Sequence, residues 1–189
     1  MGKLGDFGVV VTGKTPSSEN PEDFGNKMPF ITPGDFSNYI KFAIGSERWL
    51  SDDGIKRLKG KVLPADSVIV TCIGSDMGKV VIASEKCITN QQMNSIVVKH
   101  VEYSDYLYYV LSSMTKELKA MAVGSSTMPL LNKSDFEKIT IQIPPSVLLS
   151  SFSQLVSAGN DMIILKMKEN SKLTELQSLL LAKMGNLKQ

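Results

Sequence analysis

The chain has only two cysteines and one histidine among its 189 residues, too few for a zinc site with the usual four ligands. Cys72 and Cys87 lie in apolar, strand-like stretches and read as buried, reduced thiols of a cytoplasmic protein. His100 stands among apolar and charged residues, without the neighbours that Ser–His–Asp chemistry needs. Paired carboxylates do not stand out, and no Asp-Pro-Pro-Tyr or Asn-Pro-Pro-Tyr/Phe run marks an amino-methyltransferase. Uninterrupted apolar runs fall short of the roughly 18 residues that a membrane span needs. The N-terminus lacks the basic segment and apolar run of a secretory signal. Charge of one sign is also scarce, with a net of +2. A nucleic-acid binder of this composition has to gather its positive charge on one face. The densest basic cluster is Lys56, Arg57, Lys59 and Lys61, which fits an exposed polar loop and a phosphate-contacting patch equally.

What the chain does have is a long uninterrupted helix pattern at its end. From Ser146 to Leu187 there is no proline and one glycine, Gly159. Apolar residues recur at threes and fours through Leu148, Phe152, Leu155, Met162, Leu165, Leu173, Leu176, Leu180, Met184 and Leu187. Such a helix runs about 60 Å, roughly twice the width of a small domain. A stripe of that length is expected to find its partner in another helix, and since this chain supplies one such helix, in another chain. Leu155, Met162, Leu173, Leu176, Leu180, Met184 and Leu187 are the expected dimer or partner contacts. Lys166 and Glu169 interrupt the seam.

The preceding residues mix short strands with turns and helices. Extended segments are expected at Val9–Thr12, Pro29–Thr32, Ser67–Ile73, Lys79–Ala83, Ser95–Val98 and Ile139–Ile143. A short helix is expected over Ser51–Leu58 with Ser51 as its N-cap. A longer helix is expected over Ser104–Ala122, with Leu107, Val110, Leu111, Met114, Leu118 and Met121 on one face and Gly124 ending it. Ser134-Asp-Phe-Glu137 matches a capping box. Strands and helices that do not strictly alternate imply an α+β domain around a mixed, twisted sheet, followed by a long C-terminal coiled-coil helix.

Gly8-Val-Val-Val-Thr-Gly13-Lys14-Thr15 satisfies the phosphate-loop pattern, and a nucleotide-binding protein using Gly8–Thr15 is the rival enzymatic reading. The context argues against it. Val9–Thr12 prefers a strand, and Pro16 and Pro21 oppose the helix that should begin at Lys14-Thr15. A third reading is a structural protein whose helix serves only to oligomerise. Three polar turns stand out beside these: Gly74–Lys79, Thr89–Asn94 and Gly124–Pro129. Amide and hydroxyl side chains on such loops can read base edges or hold phosphates.

Taken in order, Lys3–Asp6, Thr12-Gly-Lys-Thr-Pro-Ser17, Ile31-Thr-Pro-Gly-Asp-Phe36, Gly78-Lys79, Thr89-Asn-Gln91, Asn132-Lys133 and Ile139–Pro145 with the long helix resemble the specificity subunit of type I restriction–modification systems. The resemblance covers nearly the whole chain. It implies a DNA target recognition domain over residues 1–143 and a conserved spacer and dimerisation helix over residues 144–189. It implies double-stranded DNA and a methyltransferase subunit as partners, with a restriction subunit as an optional third. S-adenosylmethionine is then expected on the methyltransferase partner, and this chain is expected to hold no cofactor and to catalyse nothing. Full-length members carry two recognition domains and two helices, so the chain reads as a half-subunit, either natural or a cut fragment, that is expected to homodimerise. The Glu-Gln or Gln-Gln pair common after Pro-Pro in the family is replaced by Ser146–Ser151.

Motif residues recur in members with different DNA targets. The resemblance therefore assigns Thr12, Lys14, Thr15, Lys79 and Asn90 to backbone positioning or to the fold, with Gln91 beside them. Base reading is expected from the segments between motifs: Asn38 and Lys41 in Ser37–Lys41, Arg48, and Ser75-Asp76.

Overall fold

The computed structural model describes residues 1–74, 76–122 and 130–186. It shows a mixed α+β domain followed by one long helix. Strand β1 (Gly2–Lys3) leads through helix α1 (Leu4–Phe7) into β2 (Gly8–Thr12). Strands β3 (Phe24–Ile31), β4 (Phe42–Ala43) and β5 (Arg48–Leu50) precede helix α2 (Asp52–Arg57). Then come β6 (Val68–Thr71), β7 (Val80–Ala83), β8 (Ile88–Thr89) and β9 (Met93–Val98). Helices α3 (Glu102–Ser113), α4 (Thr115–Ala122) and α5 (Lys133–Lys138), strand β10 (Thr140–Ile141) and helix α6 (Ser146–Asn186) complete the order.

A five-stranded sheet runs β2-β9-β6-β7-β4, and a three-stranded sheet runs β5-β3-β8. Pairing is antiparallel except for β4 with β7 and β3 with β8. Successive strand residues face opposite sides of a sheet, so one strand feeds two cores. Val68, Val70, Ile82 and Ile96 pack with Leu107, Leu111 and Leu118 of α3 and α4, all buried. Ile69, Val81 and Met93 pack on the other face with Ile31, Leu63 and Cys87. Cover on both faces explains why β6 and β7 read as unbroken apolar runs. Burial pushes the Cys72 thiol up to about 11 and the Cys87 thiol up to about 12, which keeps both protonated and unreactive near neutral pH.

Several expected elements differ in detail. The helix expected over Ser104–Ala122 begins at Glu102 and is broken at Met114, and Met121 is exposed. Beyond the break, the Thr115 hydroxyl donates to the carbonyls of Ser112 and Gly78, tying the start of α4 to the turn before β7. The N-cap of α5 is Asn132, not Ser134. Its side chain accepts from Asp135 N at 2.9 Å and donates to the Asp135 carboxylate at 2.7 Å. The last strand shrinks to Thr140–Ile141, because β1 offers only two residues to pair with it. Ser51 caps α2 as expected, accepting from Gly54 N. Gly124 and most of the loop it begins lie outside the described residues.

Helix α6 carries two faces. Leu149, Phe152, Ile163, Ile164 and Met167 turn toward the domain, where Leu149 is buried and the others are half-buried. Phe152 meets Tyr109 edge to face, with ring centroids 5.8 Å apart. One face of the first half of the helix is thus covered by its own domain, and of the stripe expected from the sequence only Phe152 is drawn into that contact, while Leu148, Leu155, Met162 and Leu165 stay exposed. Leu155, Met162, Leu173, Leu176, Leu180 and Met184 remain exposed on another side. Leu187 lies outside the described residues.

The junction between domain and helix is polar and buried. Lys41 Nζ donates to Asp105 Oδ1 at 2.6 Å and to Asn160 Oδ1 at 2.8 Å. Asn160 Nδ2 donates to both Asp105 carboxylate oxygens, at 3.0 and 3.2 Å. The Tyr109 ring lies 4.7 Å from the ammonium. With only 3% of the lysine side chain exposed, this charge depends on its partners instead of water. Asp105→Ala strands the ammonium and is expected to lower unfolding stability by about 3 kcal/mol in urea titrations. The double change Lys41→Met with Asp105→Leu, which removes both charges, is expected to recover most of that loss. A loss under about 1 kcal/mol for Asp105→Ala would mean that the pair is not needed.

Candidate nucleic-acid interface

Strand register gathers the polar turns at one end of both sheets. Thr12 closes β2 opposite Asn94 near the start of β9, and Thr71 closes β6 opposite Met93. Thr71 N donates to the Lys79 carbonyl at 3.0 Å, so the Gly74–Lys79 turn leaves from the same end. Ile31 closes β3 opposite Thr89, and Asn90 N donates to the Ile31 carbonyl at 3.0 Å. Arg48 opens β5 opposite Phe30. Phe42 of β4 pairs in parallel with Ile82, which sets the residues before it beside those before β7. Ile40 and Lys79 accordingly line one pocket. The sequence-predicted residues Thr12, Lys14, Thr15, Arg48, Asp76, Lys79, Asn90 and Gln91 thus share one rim, although they are scattered through the chain, whereas Asn38 lines a pocket with Trp49 and with Met167, Asn170 and Thr174 of α6. Ser75 lies outside the described residues.

Hydrogen bonds sort the rim into a scaffold and an exposed fringe. The Thr12 hydroxyl donates to Asn94 Oδ1 at 2.6 Å, and buried Asn94 donates onward to the Leu131 carbonyl at 3.0 Å. Asn90 forms its own turn, accepting from Gln92 N at 3.0 Å and donating to Gln92 Oε1 at 3.1 Å. The Thr15 hydroxyl donates to Gln91 Oε1. Asp35, 1% exposed, accepts from Thr32 N, the Thr32 hydroxyl and Glu47 N, so the Thr-Pro-Gly-Asp motif staples two loops together. Lys14, Arg48, Lys79 and Gln91 lie on the exposed fringe, and Asn38 is exposed on the side that faces α6.

Charge on the fringe is partly committed. Lys79 pairs with Asp76 at 2.9 Å, both half-exposed, a contact worth about 0–1 kcal/mol that a phosphate can displace. The Arg48 guanidinium lies 3.8 Å from the Phe24 ring centroid, which fixes its plane. Lys61, not singled out as a site residue, donates from Nζ to the Thr12 carbonyl at 2.9 Å and so brings its charge to the rim. Its neighbour Arg57 is engaged with Glu22 and Asp23, at 3.0 and 2.6 Å. A backbone hydrogen bond and then Arg57 hold the Glu22 carboxyl below its ordinary range, while the Glu22 contact raises the Arg57 guanidinium. The basic cluster read from the sequence is therefore split, with Lys61 at the rim and Arg57 tied to acidic neighbours.

Two expectations need correction. Lys41, assigned to base reading, is buried, because its ammonium turns inward to Asp105 and Asn160 and offers nothing to an external ligand. The phosphate-loop reading of Gly8–Thr15 also fails. Gly8–Thr12 is a strand of the sheet, Lys14 N donates to the Thr89 carbonyl at 2.9 Å, and the next helical segment is a 3-10 turn at Pro21–Asp23. Neither the loop nor the helix that would cradle phosphate is present. Among the described residues no His, Cys, Asp and Glu cluster fits a metal ion, and no helix is long and apolar enough to cross a membrane.

Residues 1–147 match the family model for the type I restriction modification DNA specificity domain. The chain is 36% identical over 188 residues to the type I restriction enzyme HindI specificity subunit of Haemophilus influenzae, covering 98% of this chain and 40% of that protein. It is 31% identical over 177 residues to the MjaIX specificity subunit of Methanocaldococcus jannaschii, covering 92% of this chain and 40% of that protein. The chain thus spans well under half the length of these relatives. The fold is also that of a type I restriction–modification S subunit from M. genitalium, with a TM-score of 0.65 at 16% identity over 94% of this chain and 43% of that one. An HsdS subunit from Thermoanaerobacter tengcongensis gives a TM-score of 0.61 at 18% identity, covering 89% of this chain and 38% of that one.

Gly13 tests how tightly the rim is built. A Cβ at this position would lie 2.1 Å from the Asn90 carbonyl oxygen and 2.3 Å from that of Thr89, both rigid backbone atoms. Gly13→Ala must push the two turns apart, and is expected to cost about 2 kcal/mol in thermal unfolding. Amide shifts in an NMR spectrum should concentrate at Thr12–Thr15 and Thr89–Met93.

Proposed function

Because the chain belongs to the type I restriction–modification DNA specificity family, we propose that it is a sequence-specific, non-catalytic DNA-recognition half-subunit. Residues 1–143 read duplex DNA through the rim, and residues 144–189 form the spacer and dimerisation helix. The observation that carries this reading is the convergence of Lys14, Arg48, Lys61 and Lys79 with exposed amides on one end of the sheets, while other motif residues bond among themselves beneath. The chemistry belongs to a methyltransferase subunit that holds S-adenosylmethionine, joined in some assemblies by a restriction subunit. The setting is the cytoplasm.

The exposed stripe Leu155, Met162, Leu173, Leu176, Leu180 and Met184 supports a homodimer through α6. Two copies related by a two-fold axis carry two rims, so the site is bipartite and palindromic, with half-sites roughly 10 base pairs apart.

Lys14 and Arg48 separate positioning from reading. Lys14→Ala is expected to weaken binding to all duplexes about equally and to lower the slope of log affinity against log salt by about one. Arg48→Ala is expected to relax preference at individual base pairs by about 1–3 kcal/mol. Fluorescence anisotropy with cognate and shuffled duplexes over a salt series measures both. Equal affinity for cognate and shuffled duplexes in the unaltered chain would remove the specificity reading, and saturable Mg²⁺-dependent ATP binding abolished by Lys14→Ala would restore the nucleotide-binding one.

A further inference from the structure

The exposed side of α6 repeats every seven residues. Leu148, Leu155, Met162, Glu169, Leu176 and Lys183 occupy one core position of the heptad, and Phe152, Gly159, Lys166, Leu173, Leu180 and Leu187 the other. At about 100° per residue these rows form a seam that slips roughly 20° per heptad, as a left-handed supercoil requires. The seam is distinct from the domain-facing side that holds Asn160, Ile163, Ile164 and Met167, and the two share only Phe152 near the start of the helix. Seam residues along the helix are exposed, with Leu155 at 80% and Leu180 at 61%.

The seam's central charges are arranged symmetrically. Lys166 and Glu169 are adjacent core positions, with apolar core positions on either side of them. In an antiparallel pair, one core position of each helix faces the other core position of its partner. Setting two copies antiparallel about the midpoint between Lys166 and Glu169 puts each lysine opposite the other copy's glutamate. Leu155 then meets Leu180, Met162 meets Leu173, and Leu176 meets Gly159, where a side chain has open space around it. Phe152 meets Lys183 near the end.

We propose that Lys166 and Glu169 fix the orientation and register of an α6 homodimer by pairing reciprocally across its two-fold axis. This rests on the homodimer put forward above. A parallel pair would set Lys166 against Lys166 and Glu169 against Glu169 within the seam. Sliding the antiparallel pair by one heptad would set Lys166 against Met162 or Leu176, leaving its charge against an apolar side chain. Among these arrangements only the symmetric register pairs both central charges, and it joins apolar layers at Leu155–Leu180 and Met162–Leu173 on either side, with Lys183 against Phe152 further out. In the single chain the two residues pair within the helix, Lys166 Nζ to Glu169 Oε2 at 2.8 Å, with both side chains about half exposed. Such an exposed contact is weak and is easily exchanged for a partner's.

Sedimentation and crosslinking of full-length variants test this. The unaltered chain is expected to dimerise. Lys166→Glu and Glu169→Lys alone should each weaken self-association by about tenfold or more, since each puts like charges face to face. The double variant, Lys166→Glu with Glu169→Lys, restores the homodimer, and an equimolar mixture of the two single variants forms a heterodimer. Under mild oxidation, Leu155→Cys mixed with Leu180→Cys should give a mixed disulfide, whereas Leu155→Cys alone should give little. Cys72 and Cys87 are buried and do not compete. A dimer that single charge reversals leave unchanged, or one that crosslinks Leu155→Cys to itself, overturns the register while leaving the homodimer standing. A monomer of the unaltered chain at micromolar concentration overturns the homodimer itself, and the register with it.

Discussion

A single buried ammonium ties the molecule's two parts together. Lys41 belongs to the segment that follows the Thr32–Asp35 staple, Asp105 to the first turn of α3, and Asn160 to the domain-facing side of the first half of α6. Each side chain satisfies the others, and the lysine side chain is almost entirely buried. Apolar packing between α3 and α6 supplies most of the contact but tolerates small sliding. A charge-assisted hydrogen-bond network does not, because its members must keep distance and direction together. The angle between the rim and the helix is held at this point. Any device that uses the helix as a ruler between two DNA-reading surfaces depends on that angle.

The rim divides its labour in a way that follows from hydrogen-bond capacity. Asp35, Asn90 and Asn94 spend their polar atoms inside the protein, shaping turns and joining strands. Gly13 lets two turns approach so closely that no side chain fits between them. With the turns held from below, exposed groups such as Lys14, Arg48 and Gln91 stand on a firm base. A scaffold of this kind leaves groups between the motifs, such as Arg48, free to change without disturbing the turns beneath.

Much of the fold was legible in the chain. The β-branched runs of β6 and β7, the Ser51 cap and the uninterrupted period of α6 are local signals, and local chemistry decides them. Lys41 was not legible. A lysine between polar turns looks like a surface residue, and its burial depends on Asp105 and Asn160, distant in sequence and brought close only by folding. Arg57 was obscured in the same way by Glu22 and Asp23. The stripe legible in α6 is the outward one, and the second, domain-facing set of Leu149, Ile163, Ile164 and Met167 lies beside it without a distinct period of its own. Only the packing of α3 separates them. The rim itself was scattered through the sequence, and strand register is what assembled it.

The central claim is that one rigid unit, a rim fixed to a helix, acts in two symmetric copies. Selection of bound sites from a random-sequence duplex pool by the unaltered full chain tests this most directly. The account predicts an inverted repeat of two half-sites separated by one fixed spacing of roughly 10 base pairs. A single undivided asymmetric sequence, or half-sites at freely varying spacing, would contradict it.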